Sequence, residues 1–214
     1  MSEPILPATF KGNALAQRLL QWAGWQVHFD GLPAMQGVLV GYPHTSNWDF
    51  ILMMLVKWST GLQVKFLAKD SLFRYPIFSQ WLRSLGAVAT DRSAHNGVVG
   101  QLVALIREHQ AQNRFFWLGV APEGTRKWTE GWRSGFYQVA FQAGVPLCLI
   151  RIDWGRKTVD LCQTLILSGN QDQDYQTMAQ AFEGVRGFHP HQASPIRPLA
   201  SLDTAPQSVK GDAA

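Results

Sequence analysis

The sequence predicts an α/β fold in a single layered domain, with a central, mostly parallel sheet flanked by helices. Short apolar runs of strand length alternate along the chain with stretches in which apolar residues recur at helical spacing. A length of 214 residues suffices for one domain with a sizeable core but not for two ordinary ones. We therefore expect one domain over residues 1–188. Residues 189–214, rich in Pro, Ala, Ser and Gln, are predicted to form a flexible tail.

The first predicted element is an amphipathic helix over about residues 13–27. It is predicted because Leu15, Leu19 and Trp22 recur at helical spacing. Its apolar face either enters a membrane surface or packs on the sheet, and the pattern permits both. The predicted strands span residues 38–40, 64–68, 87–90, 115–118, 147–152 and 158–166. The predicted later helices span residues 47–58, 71–85, 98–109, 134–143 and 175–185.

The composition indicates which kinds of molecule the protein is expected to bind. A formal net charge of +4 favours anionic partners, which include nucleic acid, phospholipid headgroups and phosphorylated substrates. Nine Trp favour a boundary between apolar and aqueous surroundings, where an indole places its apolar body and its polar N–H. The basic residues are scattered and form no recognisable nucleic-acid-binding module, so we expect an anionic membrane surface and no nucleic acid.

Several kinds of site and targeting segment are not expected. No apolar run reaches the roughly 20 residues of a spanning helix, and the first ten residues lack the features of a secretory signal. Cys148 and Cys162 lie in separate apolar runs without a Cys-x-x-Cys pattern, which predicts buried thiols in a reducing compartment. We expect no metal, because Cys and carboxylates at metal-ligand spacing are missing around His95, His109, His189 and His191.

The first motif whose side chains could take part in catalysis is His44-Thr45-Ser46-Asn47-Trp48-Asp49, at the end of a predicted strand. The Asp49 carboxylate, just inside the next helix, can hold one ring nitrogen of His44 and leave the other free to accept a proton from a hydroxyl. The alternative is that Asp49 only caps the helix and His44 is an ordinary loop residue. Backbone N–H groups near the helix start are candidates to stabilise an oxyanion.

The second motif, Pro122-Glu123-Gly124-Thr125-Arg126-Lys127, follows the strand predicted at residues 115–118. Pro and Gly bracket the Glu in a tight loop, and Arg126 can bind phosphate oxygens through two parallel hydrogen bonds while the carboxylate orients its guanidinium. The spacing approaches that of a nucleotide-binding P-loop, but Thr-Arg stands where Lys followed by Ser or Thr is needed. The alternative is a surface loop with a solvated charge pair.

Together, His-x4-Asp and the later Pro-Glu-Gly-Thr-Arg resemble the glycerolphosphate and lysophosphatidate acyltransferase family. The likeness extends over residues 37–150, with the blocks in the family's order. Residues 68–92 resemble the second block, which implies that Arg92 holds acceptor phosphate. Residues 135–147 resemble the fourth block, which implies that Val145 and Pro146 line the acyl site.

The resemblance implies a glycerolphosphate acyltransferase-like fold and transfer of a fatty acyl group to a hydroxyl of a lysophospholipid or glycerolphosphate-type acceptor. The donor is expected to be acyl-CoA or acyl carrier protein, with no other cofactor, and the protein is expected in the cytoplasm on the inner face of the membrane. His44 and Asp49 would be catalytic. The phosphate would be bound by Arg92, Glu123, Gly124, Thr125, Arg126 and Lys127.

The sequence departs from the family at Ala121, where an aromatic residue is usual, and at Lys127, where Ser is common. These changes affect the preference for acceptor and acyl chain more than the type of reaction. Two alternatives remain: a non-catalytic lipid-binding membrane protein and a thioesterase that uses water. The intact His44 and Asp49 disfavour the first, and the phosphate-binding arginines disfavour the second, because hydrolysis needs no anchored acceptor. A serine hydrolase is disfavoured because the sequence lacks Gly-x-Ser-x-Gly.

Overall fold

The computed structural model describes residues 10–69, 73–90 and 97–199, in which the elements follow the predicted order except for one additional strand near the N-terminus. The strands are β1 (Gln26–Phe29), β2 (Gln36–Tyr42), β3 (Val64–Lys69), β4 (Ala87–Thr90), β5 (Phe116–Val120), β6 (Leu147–Asp153) and β7 (Thr158–Leu165). The helices are α1 (Ala14–Trp22), α2 (Asn47–Thr60), α3 (Pro76–Leu85), α4 (Gly97–Ala111), α5 (Gly135–Ala143) and α6 (Gln171–Ala181). A short 3-10 helix covers Pro190–Gln192.

The strands described form one sheet in the order β1-β7-β6-β2-β5-β3-β4. The five strands from β6 to β4 run parallel to one another, whereas β7 is antiparallel to β6 and parallel to β1. The change of direction follows from chain length, since only four residues join β6 to β7 and a parallel crossover needs a dozen or more. The predicted α/β fold, with a mostly parallel sheet between helices, is confirmed.

The core lies on both faces of this sheet. In β2, Val38 and Val40 belong to the apolar layer beneath α4, α5 and α6, while Leu39 belongs to the opposite layer beneath α1 and α2. Successive side chains of a strand point to opposite faces, so a strand covered on both sides needs a continuous apolar run. This is why the run Val38-Leu39-Val40 predicts the central strand.

The N-terminal region differs from the prediction. The helix expected over residues 13–27 ends at Trp22, and Gly24, with a φ of +79°, turns the chain into the unpredicted strand β1. This strand lies at the sheet edge and alternates exposed with half-buried residues, so it has no apolar run that would reveal it. The pairing that makes it a strand comes from β7.

Residues 189–199 are packed against the domain, although the sequence places them in a flexible tail. Ser194 is fully buried, and Pro198 forms a β-bridge with Trp132. The hydrogen bonds join backbone groups of the segment to distant loops, so no periodicity in its own sequence predicts them. The ordered domain therefore continues past residue 188 to residue 199, and residues 200–214 lie outside the described part.

Cys148 is buried in β6 and disulfide-bonded, whereas the sequence predicts a free thiol. Cys162, the other cysteine of the chain, lies on β7, which pairs with β6 in the antiparallel sense. Separation in the sequence therefore does not keep the two positions apart in the fold.

Candidate active site

Three neighbouring parallel strands end at the same edge of the sheet and carry the polar groups of the site. His44 follows the central strand β2, Glu123 follows β5 on one side, and Trp154 follows β6 on the other. Open α/β sheets bind ligands outside the carboxyl ends of their strands, at points where the order of strands branches. The topology therefore brings together three residues that are widely separated in the sequence.

His44 and Asp49 face each other at the start of α2, with His44 Nδ1 3.4 Å from Asp49 Oδ2. Ser46 caps the helix, and Oδ2 of Asp49 accepts hydrogen bonds of 2.7 Å from the N–H groups of Thr45 and Ser46. Asp49 thus caps the helix and faces the imidazole with the same carboxylate. The two interpretations that the spacing left open are geometrically compatible.

The Asp49 carboxylate is buried but well supplied with donors. Its side chain is 1% exposed, and its second oxygen, Oδ1, accepts a 2.7 Å hydrogen bond from the Trp154 indole N–H. Burial alone would raise the pKa of Asp49, but the contacts with His44, Ser46, Trp154 and Thr45 outweigh it and lower the pKa. A charged carboxylate beside Nδ1 leaves His44 Nε2 as the ring nitrogen available for proton transfer.

Glu123 holds the backbone of the loop that carries His44. It is 1% exposed, and its carboxylate accepts hydrogen bonds from the N–H of His44 at 2.6 Å and from the N–H of Ser194 at 3.0 Å. Burial raises the pKa of Glu123, and these two donors offset part of the rise. The sequence predicts that Glu123 shapes the phosphate pocket by orienting a guanidinium, whereas the contacts show that it joins the loops after β5 and β2 to the C-terminal segment.

The remainder of the second motif lies beside His44. Arg126 is exposed, and its guanidinium donates to the side-chain oxygen of Asn47 in the first motif. Gly124, Thr125 and Arg126 line the same cavity as His44. Lys127 is exposed and outside that lining; its backbone N–H donates to Thr125 Oγ1 at 3.3 Å.

Arg133 is a cationic residue of the site that the sequence analysis misses. It lines the cavity and lies against Gly124, where an added Cβ would come within 2.5 Å of the Arg133 Nε. Gly124 also has a φ of +66°, a conformation that favours glycine. The Arg133 N–H donates to the Pro122 carbonyl at 2.9 Å, which folds this segment back onto the motif loop. Only this return in space identifies Arg133, because its spacing from Arg126 suggests no shared site.

Three predicted site residues are not placed in the site. Arg92 lies outside the described residues. Val145 and Pro146 precede β6, whose Leu147 pairs with Val38 near the start of β2, so both lie at the amino-end edge of the sheet, opposite His44. Neither lines the cavity that contains His44, so their position does not support the expected role in the acyl site, which stays a prediction. In the part of the chain that the structure describes, no group of His, Cys, Asp and Glu side chains could hold a metal ion.

A cavity of about 830 Å³ opens beside His44 and Asp49. Its volume falls within the range of roughly 300–1,000 Å³ that is typical of small-molecule sites. Arg126 and Arg133 are among its charged lining residues, and most of the lining is apolar. Apolar lining residues include Phe50, Met53, Phe66, Val98, Leu102 and Val139.

Several backbone N–H groups that were candidates for oxyanion stabilisation are already engaged. Those of Thr45 and Ser46 donate to Asp49, and that of Trp48 donates to the Ser46 hydroxyl at 3.2 Å. The Thr45 hydroxyl accepts from the His189 N–H at 3.1 Å, so the C-terminal segment also contacts this loop. The start of α2 therefore uses these N–H groups to hold Asp49 and to cap the helix, and does not offer them to a substrate.

The outer side of α1 and α2 exposes large apolar side chains. On α1, Leu15 is 66% exposed, Leu19 44% and Trp22 89%, while Leu20 points into the core. The predicted apolar face therefore does not pack on the sheet. On α2, exposed apolar residues recur at helical spacing at Trp48, Ile51 and Trp58. Among the described residues, no helix has both the length and the apolar character needed to cross a membrane.

Comparison with known proteins identifies the family and supports the fold. A family model described as Acyltransferase matches residues 25–153, which include both motifs and the strands β2, β5 and β6. The chain belongs to the acyltransferase family. The acyltransferase chain is also similar to the crystal structure of the 1-acyl-sn-glycerophosphate (LPA) acyltransferase, PlsC, from Thermotoga maritima. That match has a TM-score of 0.50 and 17% sequence identity, and it covers 78% of this chain and 73% of that chain, which supports the fold. No curated protein sequence matches the chain significantly.

Proposed function

We propose that this acyltransferase moves a fatty acyl group from acyl-CoA or acyl carrier protein to a hydroxyl of a lysophospholipid or glycerolphosphate-type acceptor. The observation that carries the proposal is that the His44–Asp49 pair lines a largely apolar cavity together with two arginines. This arrangement offers a base for a hydroxyl, space for an acyl chain and positive charge for a phosphate. The PlsC acyltransferase of similar fold is described as acting on 1-acyl-sn-glycerophosphate, which agrees with such an acceptor.

His44 acts as the general base in this proposal. Its Nε2 accepts the proton of the acceptor hydroxyl as the oxygen attacks the thioester carbonyl, and Asp49 stabilises the imidazolium that forms. Collapse of the tetrahedral intermediate breaks the C–S bond, and the imidazolium returns the proton to the leaving thiolate. The acyl group passes directly from donor to acceptor, so no covalent enzyme intermediate is required.

Arg126 and Arg133 bind the acceptor phosphate. Both line the cavity together with His44, and an arginine can offer two parallel N–H donors to phosphate oxygens. The Gly124 turn lets the Arg133 side chain pass close to the motif loop, while Thr125 and Lys127 shape the loop that presents Arg126. Arg92 remains a proposed further phosphate ligand on the family resemblance alone.

The apolar part of the cavity takes the acyl chain. Phe50 and Met53 enter it from α2, and Val98 and Leu102 enter it from α4. Burial of each methylene contributes roughly 0.8 kcal/mol, so a fatty chain gains more affinity there than a short acyl group. These residues replace Val145 and Pro146 as the proposed lining of the acyl site.

The exposed apolar residues of α1 and α2 attach the enzyme to the surface of an anionic membrane, on its cytoplasmic face. Both helices pack in the same layer of the domain, through Leu20 on one and Leu52 on the other, so their outer sides face in the same direction. An interfacial helix binds through its buried apolar area and through attraction of cationic groups to headgroups, for which the net charge of +4 is favourable. Trp48 lies within the catalytic motif, so this surface begins beside the active site.

A labelled-transfer assay tests the proposal. The purified protein is incubated with labelled acyl-CoA or labelled acyl carrier protein and a panel of lysophospholipids, glycerol 3-phosphate and neutral acylglycerols. We expect label in a phosphate-bearing product, little label in products of the neutral acceptors, and none with His44→Ala. Label released only as free fatty acid would favour the thioesterase, and binding of lipid without turnover would favour the non-catalytic protein.

A further inference from the structure

We propose that Trp154 is a positioning residue of the catalytic pair, whose indole N–H holds the Asp49 carboxylate in place for His44. Trp154 lies in the turn after β6, 105 residues from Asp49, and its Nε1 is 2.7 Å from Asp49 Oδ1. This is a direct side-chain contact between the third strand end of the site and the catalytic carboxylate. The inference rests on the proposed function for its catalytic consequence, but the contact itself is tested independently of activity.

The contact divides the two oxygens of Asp49 between different tasks. Oδ2 accepts the N–H groups of Thr45 and Ser46 and faces His44, whereas Oδ1 accepts the indole. Donors of the α2 cap alone would leave Oδ1 without its 2.7 Å partner and the carboxylate freer to rotate about its Cβ–Cγ bond. The indole therefore completes the set of donors that keeps Oδ2 directed at the imidazole.

Trp154 is itself held by two ring contacts and one backbone hydrogen bond. Trp25, just before β1, contacts the Trp154 ring edge-on with centroids 4.9 Å apart, and Phe188 does so at 4.7 Å. The Trp154 backbone N–H donates to the Arg186 carbonyl at 2.8 Å. A side chain packed between the N-terminal and C-terminal segments has little freedom to leave Asp49, so it acts as a rigid support.

The hydrogen bond also favours the charged form of Asp49. The charged or titratable groups that face this carboxylate are His44, from its own loop, and Glu123, from the loop after β5. A neutral donor such as an indole stabilises the carboxylate next to His44 without competing with the imidazolium for charge. Loss of the donor should therefore weaken both the position of the carboxylate and its ionised form.

The test replaces Trp154 with 3-benzothienylalanine, which keeps the shape of the indole but has sulfur in place of the N–H. Trp154→Phe, which can be made by ordinary mutagenesis, also removes the N–H but loses part of the ring that packs on Trp25 and Phe188. Trp117 provides a matched control, because it is fully buried in the same sheet and its indole N–H donates to the Ala34 carbonyl at 3.1 Å. The replacement at position 154 and the same replacement at position 117 each remove one indole N–H. Only at position 154 is the acceptor a titratable carboxylate.

We expect the variant at position 154 to melt roughly 3–10 °C below wild type at pH 7. Because the Asp49 pKa is lowered in the folded state, the stability it contributes is present above its unfolded pKa and is lost as pH falls through the folded pKa. The difference in melting temperature should therefore stay constant from pH 7 to about pH 5 and shrink only as pH falls through 3.8, the ordinary pKa of an aspartate, and below it. The difference for the variant at position 117 should stay constant with pH, since a carbonyl does not titrate.

Catalysis supplies the second measurement. With the N–H removed at position 154, kcat should fall about tenfold while KM for donor and acceptor stays within about twofold, because ground-state binding does not involve Asp49. A melting difference that does not vary with pH would overturn the contact, and an unchanged kcat would overturn the positioning role. If wild-type protein transfers no acyl group, the proposed function fails, while the melting comparison still decides whether the indole holds the carboxylate.

Discussion

In most proteins polar side chains are exposed and apolar side chains are buried. The carboxyl-end edge of the sheet instead buries charged side chains, and the outer side of α1 and α2 instead exposes apolar ones. At the sheet edge, the carboxylates of Asp49 and Glu123 are buried, and each is paired with several donors. On the outer helices, Leu15 and Trp22 are exposed, and no element among the described residues covers them. Buried polar groups and exposed apolar groups both disfavour a stable isolated domain unless they have a partner. The first region contains its partners within the fold, whereas the apolar side chains of the second stay exposed in the described part of the chain.

This difference predicts separable effects of substitution. Changes at the sheet edge should reduce turnover and, where they leave a buried donor unpaired, stability. Changes on the outer helices should reduce attachment to vesicles and leave both stability and the turnover of dispersed substrate unchanged. Arg126 stands between the two regions, because it belongs to the site but is exposed to solvent.

The largest effect is expected from His44→Ala. Removal of a general base reduces rates by roughly 10² to 10⁴, so labelled transfer should fall by that factor while the melting temperature changes little. His28 offers a matched control, since it also pairs with a carboxylate, Asp160, at 2.6 Å but lies at the far edge of the sheet. His28→Ala should transfer label at the wild-type rate, and a folded His44→Ala protein with near wild-type turnover would refute the assignment of the base.

Glu123→Gln should have the next largest effect. A glutamine of the same shape has one oxygen and one NH₂ group, so it cannot accept from both the His44 and the Ser194 N–H as the carboxylate does. Leaving a buried donor unpaired costs about 1–3 kcal/mol, and the shifted His44 loop should lower kcat about tenfold. Exposed Glu130 provides the control substitution, Glu130→Gln, for which melting and turnover should match wild type. Equal behaviour of the two variants in both measurements would show that Glu123 does not hold the loop.

Arg126→Lys should affect binding of one substrate alone. The substitution keeps the charge but loses the pair of parallel donors, so KM for the phosphate-bearing acceptor should rise roughly tenfold while KM for the donor is unchanged. Exposed Arg156, in the turn between β6 and β7, allows the control Arg156→Lys, which should change neither constant. If only the KM for the acyl donor changed, Arg126 would have to be assigned to the binding site of the acyl carrier instead.

The sequence predicts most of the fold because the central strands are covered on both faces and therefore carry uninterrupted apolar runs, as Val38-Leu39-Val40 does. It also predicts that Asp49 lies next to His44, since one helical cap brings them together. The features that the sequence does not predict depend on contacts between distant segments. Strand β1 depends on pairing with β7, and Ser194 depends on Glu123, so neither has a local pattern.

The differences between the expected and the observed positions of site residues have the same origin. The family resemblance implies Val145 and Pro146 as acyl-site lining, but the register of β6 on β2 places them at the opposite edge from His44. Arg133 is missed because its approach to Gly124 results from a return of the chain, fixed by the hydrogen bond from its N–H to Pro122. When the exact ends of a turn are not known, the sequence alone does not specify at which edge of the sheet the following residues lie.

The smallest effect on the folded protein is expected from Leu19→Gln, which tests the outer region alone. Leu19 is 44% exposed, so the exchange should change the free energy of unfolding by no more than about 0.5 kcal/mol. If the outer face of α1 enters the membrane surface, however, the variant should sediment less with vesicles that contain anionic phospholipid, and added salt should weaken the remaining binding. Leu20 is the next residue on the same helix but is 3% exposed, so Leu20→Gln buries an amide in the core and should cost about 2 kcal/mol or more. Vesicle sedimentation of the folded protein should be retained by Leu20→Gln and reduced by Leu19→Gln, whereas the melting temperature should change in the opposite order. A Leu19→Gln protein that melts as low as Leu20→Gln, or that sediments as fully as wild type, would exclude this face of α1 from the membrane surface.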